Sequence, residues 1–233
     1  MRHMPWRRKY QRSFLLALRD AAHVFASVSS RSKTTVAMTT TKIQTLLNVA
    51  SYQGRIHQVD AMIDTLKDEA RKRGAHDVKT IDPRIITPRR WVRMKCQFGC
   101  PAYNTNYTCP PHVGTLEDAR ELFSEYTGGL LLEFQGLATL HDQKKVLKAL
   151  LHLEKQAFFE GYYKAFGVAA GPCHLCSRCK AVESETCIDM RKRPSLEALG
   201  VDVYELVNDA GFTLRPIHKK NEVYKSYGLL LLE

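Results

Sequence analysis

Apolar residues recur at helical spacing between Ile56 and Arg73, where Ile56, Val59, Ile63, Leu66 and Ala70 share one face. This period predicts an amphipathic helix, and Gly74 follows as its stop. Arg71, Lys72 and Arg73 in its last turn suit a solvent face at the negative end of the helix dipole. Short extended pieces are predicted at Asp77–Ile81 and Trp91–Lys95, because Pro83 and Pro88 between them discourage a continuous helix. Thr115 reads as an N-cap with Asp118 three positions on, and Leu116, Ala119, Leu122, Phe123 and Tyr126 supply the stripe of the helix it opens. Gly128 and Gly129 interrupt, and Leu130, Leu131, Leu132 and Phe134 then read as a buried strand.

A long helix is predicted from Asp142 to Phe166, with Val146, Leu150, Leu153, Ala157 and Phe158 as its packing face. Tyr162, Tyr163 and Phe166 at its end are expected to pack in the core and shield a neighbouring site from water. Pro194 and Ser195 open two short helical pieces punctuated by Gly200 and Gly211, with Ser195 as N-cap. Val223–Leu232 closes the chain as a strand expected to pair with Leu130–Phe134. These elements describe an α+β domain (or α/β), a small sheet packed by helices, with two cysteine-rich loops leaving regular elements.

A chain of 233 residues has room for one sizeable core. Its net charge of +11 suggests nucleic acid until it is divided along the chain. Residues 1–56 hold ten Lys or Arg and the single acid Asp20, or +9, whereas residues 57–233 hold twenty-five bases and twenty-three acids, or +2. The domain reading is therefore a basic arm over residues 1–55 and a cysteine-rich domain over residues 56–233. The arm is read as disordered, as an organellar targeting peptide, or as an extension upstream of a true start at Met38. Nucleic-acid binding rests on the arm alone and is not expected of the body. No apolar run approaches the roughly 18 residues of a membrane span, and Phe14–Leu18 is cut by Arg19 and Asp20 before any signal-cleavage pattern. A cytoplasmic protein without membrane attachment, with reduced cysteines, is the expectation.

The seven cysteines fall into two groups. Cys173, Cys176, Cys179 and Cys187 form C-x2-C-x2-C-x7-C after Gly171 and Pro172, and thiolates at successive intervals of three can wrap a compact inorganic core. Cys96, Cys100 and Cys109 form C-x3-C-x8-C followed by Pro110, Pro111 and His112, with Gly99 allowing a tight turn and the prolines stiffening the loop. Three thiolates on a [4Fe-4S] cluster leave one iron open, and His112 is the nearest alternative fourth ligand. Tetrahedral zinc accepts either donor set, so one or two [4Fe-4S] clusters and structural zinc both fit the spacings. His174 stands between two ligands of a set already complete and is read as a second-layer or surface group. Arg178, Lys180, Arg191, Lys192 and Arg193 either offset cluster charge, dock an acidic partner or form a solvated face.

Cys96-Gln-Phe-Gly-Cys100, Tyr107-Thr-Cys109-Pro-Pro111, Phe159-Glu-Gly-Tyr-Tyr-Lys-Ala-Phe166, Gly171-Pro-Cys-His-Leu-Cys176 and Arg193-Pro-Ser-Leu-Glu-Ala198 together resemble one family. It is the prokaryotic family of predicted metal-binding proteins known as domain of unknown function 2284. The resemblance runs from about Ile56 to the C-terminus and implies that all seven cysteines belong to the metal-binding set; Ile188–Met190 departs from its pattern. It carries over no reaction and no catalytic residue. The functional expectation is a redox or electron-transfer protein served by a protein redox partner, with the three-cysteine site as a relay or an open-iron centre. The rival is a zinc-stabilised interaction module without turnover. A predicted helix of about 25 residues, roughly 37 Å long at about 1.5 Å per residue, separates the two loops and leaves their distance open.

Overall fold

The computed structural model describes residues 59–137, 140–184, 186–187, 189–216 and 223–233. The readings made for residues 1–55 and for the helix start at Ile56 lie outside these residues. The chain divides into two units, Met1–Thr65 and Leu66–Glu233. Of the first, residues 59–65 are described and are helical. In the second, residues 66–72 are helical (α1), and this helix ends where Gly74 takes φ +96°. Its last cations form the expected solvent face, with Arg71 paired to Asp68 and Arg73 to Glu69.

Four antiparallel strands form the sheet: β1 (Asp77–Ile81), β2 (Gly129–Leu137), β3 (Phe166–Val168) and β4 (Tyr224–Leu231), in the spatial order β1-β2-β4-β3. The C-terminal strand lies against β2 with Leu131 opposite Leu229, the pairing expected from the two leucine runs. Both faces of this sheet are covered, which explains why β2 and β4 read as continuous apolar runs instead of alternating ones. Leu131, Tyr227, Leu229, Leu231 and Val168 face one core together with Phe123, Leu196, Val207 and Phe212. On the opposite face lies α4 (Leu140–Phe159), whose Val146, Leu150, Leu153 and Ala157 are fully buried. The close approach is made by glycines: a Cβ on Gly228 would lie 2.7 Å from Leu150 Cδ1, and one on Gly167 would lie 3.5 Å from Leu150 Cβ. Each buried leucine here contributes about 1.5–3 kcal/mol of transfer free energy.

α3 (Leu116–Ser124) carries the expected capping box, with Thr115 Oγ1 accepting from the Asp118 N–H and the Asp118 carboxylate accepting from the Thr115 N–H. α6 (Val203–Asp209) is capped by Asp202. Three readings are corrected. Trp91–Lys95 is helical, part of α2 (Arg90–Gly99), because Arg93 turns inward to donate to the carbonyls of Ala198 and Gly114 while Val92 is buried on the same element. The long helix stops at Phe159, since Gly161 takes φ +100° and the Tyr162 N–H closes onto the Ala157 carbonyl, so Phe166 begins β3 instead of ending α4. Ser195 accepts from the Ala198 N–H, but the turn it opens ends at Gly200 without becoming a helix. The aromatics at the end of α4 also divide: Tyr162 is buried, whereas Phe158 and Tyr163 are exposed. Among the described residues, no helix is long and apolar enough to cross a membrane.

Candidate metal centre

The four-cysteine loop leaves β3 and returns to the strand end it left. Ala169 N–H donates to the Pro194 carbonyl at 2.7 Å, and Leu196 N–H donates to the Ala169 carbonyl at 3.1 Å. This clamp closes residues 169–196 into a loop whose ends are fixed by the sheet, as in compact functional surface loops. Gly171 supplies the left-handed turn after the clamp, with φ +64°. Arg193 anchors the return limb through a two-pronged pair with Glu154 of α4, a half-buried contact that removes it from any solvated basic face. Arg191 and Arg178 are likewise paired, to Asp189 and Glu183. A short helix, α5 (Ala181–Ser184), lies between the third and fourth cysteines.

The three-cysteine loop is built differently. Cys96 lies in the last turn of α2, and Cys100, its C-cap, donates its N–H to the Cys96 carbonyl at 3.3 Å. Four residues apart, the two side chains share one helix face. Cys109 returns to the same region from a proline-stiffened turn in which Asn104 takes φ +54° and donates its N–H to the Pro110 carbonyl. Cys109 is buried, Cys96, Cys100, Cys173, Cys179 and Cys187 are half-buried, and Cys176 is exposed.

Residues 106–108 fasten the two loops together. Asn106 Nδ2 donates to the Cys173 carbonyl at 2.8 Å. Thr108 Oγ1 accepts from the Cys173 N–H at 3.3 Å. Tyr107 N–H donates to Cys179 Sγ at 3.4 Å. Asn106 Oδ1 in turn receives the N–H and the hydroxyl of Thr108, so the strap is braced internally. Asn106 and Thr108 are among the few buried polar side chains of the described residues, and both are spent on this junction. The long helix between the loops does not hold them apart, because β3 runs the chain back along the sheet.

The thiols differ in their environments. Burial, then Cys100 and Cys96, pushes the Cys109 thiol up to about 12. Burial, then Cys100 and Glu197, raises Cys96 against the lowering effect of Arg93. Burial raises Cys173, and a backbone hydrogen bond from Leu175 partly opposes it. His174 is lowered by burial and by Lys144, and its Nε2 lies 2.9 Å from Gln143 Oε1, which gives that nitrogen a partner outside the thiol set. His112 stacks on Tyr107 at 5.8 Å between ring centroids, and its buried Nε2 has no hydrogen-bond partner among the described residues.

Cys173, Cys176, Cys179 and Cys187 line one small pocket with Asn106 and Thr108. Cys96 and Cys100 line a second and far larger one, an open groove of about 770 Å³. No three His, Cys, Asp or Glu side chains among the described residues converge as a ready cage for one metal ion. The donor chemistry nevertheless fits a thiolate-ligated group: seven unpaired thiols, a backbone N–H aimed at one sulfur, and an imidazole nitrogen left over beside the third cysteine of its loop. Sequence reasoning missed Arg93, Asn106, Thr108 and Glu197. Asn106 and Thr108 stand beside Cys109 in the chain, but nothing in their spacing shows that their partners lie 65 or more residues away.

Fold and site together define an α+β protein with two apposed cysteine loops of metal-ligating composition. Residues 79–232 match the family model described as Predicted metal-binding protein (DUF2284), and the chain belongs to that family. No curated protein and no solved structure matches it.

Proposed function

We propose that the protein is an iron-sulfur redox protein with two coupled centres. Cys173, Cys176, Cys179 and Cys187 would hold a [4Fe-4S] cluster, and Cys96, Cys100 and Cys109 a second cluster with one position left for His112 or an exogenous molecule. Such clusters supply one-electron transfer. The observation that carries the reading is the strap of residues 106–108, which hydrogen-bonds the buried Cys109 limb to Cys173 and Cys179. A hydrogen-bonded route between two thiolate sets serves electron transfer, and an N–H donated to a cluster sulfur tunes its potential. Cys176 is exposed, giving a protein redox partner access to the four-cysteine edge. The cytoplasm, where thiols stay reduced, suits such a protein.

Anaerobic purification with iron, acid-labile sulfide and zinc analysis, plus visible absorption, tests the reading. The expected result is iron and sulfide in equal amounts, about eight of each per chain for two clusters, with broad charge-transfer absorption that bleaches on reduction. Cys179→Ser and Cys109→Ser should each remove roughly half of the sulfide. Stoichiometric zinc without sulfide would replace this reading by a zinc-stabilised interaction module, and a chain holding neither metal would end both.

A further inference from the structure

The geometry points to the groove beside the three-cysteine loop as a binding site for a small organic anion with a flat apolar body, held with one end toward Cys96 and Cys100. Its volume, about 770 Å³, falls within the roughly 300–1,000 Å³ of small-molecule sites. Trp91 and Val92 of α2 line it together with Tyr204 and Tyr224. Trp91 is 46 % exposed, a large aromatic presented to the groove instead of to a core.

Charge decides the class of occupant. Lys95 and Arg215 both line the groove and are exposed, and neither has a carboxylate partner among the described residues. Lys95 Nζ stands 5.0 Å over the Trp91 ring, so a cation and an indole lie together at the groove. The remaining charges of the lining are already engaged. Asp202 accepts from the N–H groups of Tyr204 and Glu205, and Glu197 accepts from the Gly171 N–H. Lys225 is held by Glu133 at 2.9 Å and by the Thr213 carbonyl. Among the described residues these two cations, Lys95 and Arg215, have no carboxylate partner, and an anion suits them; Arg215 brings the forked donor geometry that fits carboxylate or phosphate. What becomes of the bound molecule at the thiol end rests on the reading of the three-cysteine site given above, whereas binding itself does not.

Calorimetric titration of the full chain, isolated anaerobically, with 2-naphthoate, 2-naphthyl phosphate and the neutral 2-naphthylmethanol tests the site. Saturable one-to-one binding of one of the anions is expected, with the alcohol at least about tenfold weaker, and the better anion identifies the headgroup. Lys95→Met and Arg215→Met should each weaken that anion by about five- to tenfold with unchanged circular dichroism and unchanged iron and sulfide. Alcohol binding as tight as the anions, absence of saturable heat with either anion, or unaltered affinity in both variants would overturn the proposal. Metal analysis of the same samples separates the two readings: anion binding without iron leaves the groove standing and removes the redox assignment, and iron without anion binding does the reverse.

Discussion

Thr108→Val tests the junction between the loops most directly. Valine keeps the β-branched shape and nearly the volume, so no cavity opens, but it removes an oxygen that accepts from the Cys173 N–H and donates to Asn106 Oδ1. The site is 6 % exposed, too closed for water to replace the hydroxyl freely. An orphaned buried N–H costs about 1–3 kcal/mol, and the lost bond to Asn106 about 0.5–1.5 kcal/mol more. A total near 2–4 kcal/mol corresponds to a fall of roughly 5–12 °C in Tm for a domain of this size. On the ligand set proposed above, in which Cys173 is the first donor, the same loosening should speed metal loss to a chelator. Thr105→Val is the control, since its hydroxyl bonds the Pro101 carbonyl in an exposed turn and should cost little. Thermal unfolding of chelator-treated protein and chelator-release kinetics of protein as isolated give the two readouts. If Thr108→Val unfolds and releases metal as the wild type does, the strap is not what couples the loops.

Two further outcomes follow from the fold. Burial, the largest influence on Glu133, pushes its carboxyl up, but hydrogen bonds from Tyr227, Gln135 and Lys225 together bring it below the ordinary value. Its stabilisation is therefore present above the unfolded-state value, near 4.3, and is lost as pH falls through the lower folded value. Glu133→Gln should cost about 1–3 kcal/mol at pH 7 by denaturant unfolding, discounted for the partial exposure of Lys225, with the gap narrowing as pH falls below about 4; a gap independent of pH would refute the linkage. Gly161→Ala should cost about 1–2 kcal/mol from backbone strain alone, because φ is +100° and nothing lies within 4 Å of the added Cβ; unchanged stability would mean that α4 ends by other means.

Local patterns accounted for much of the fold. The capping box at Thr115 and Asp118, the stop at Gly74 and the strand at Asp77–Ile81 are each decided within a few residues, where hydrogen bonding and φ preference act, so the chain shows them directly. The apolar runs of β2 and β4 announced a buried pair for the same reason. Trp91–Lys95 reads as extended from the prolines on one side, while the contacts of Arg93 with Ala198 and Gly114 that accompany its helix lie 105 and 21 residues away. At the candidate site, the sequence by itself determined the chemistry: seven thiols in two spacings, with prolines and glycines to shape their loops. The tertiary structure alone decided their relation, because hydrogen bonds from Asn106 and Thr108 across the junction depend on how β3 and the loop clamp return the chain, and the groove at Cys96 and Cys100 is lined by segments from both ends of the domain. Spacing records what lies along the chain, and contacts between distant segments are set by packing of the sheet and its two covered faces.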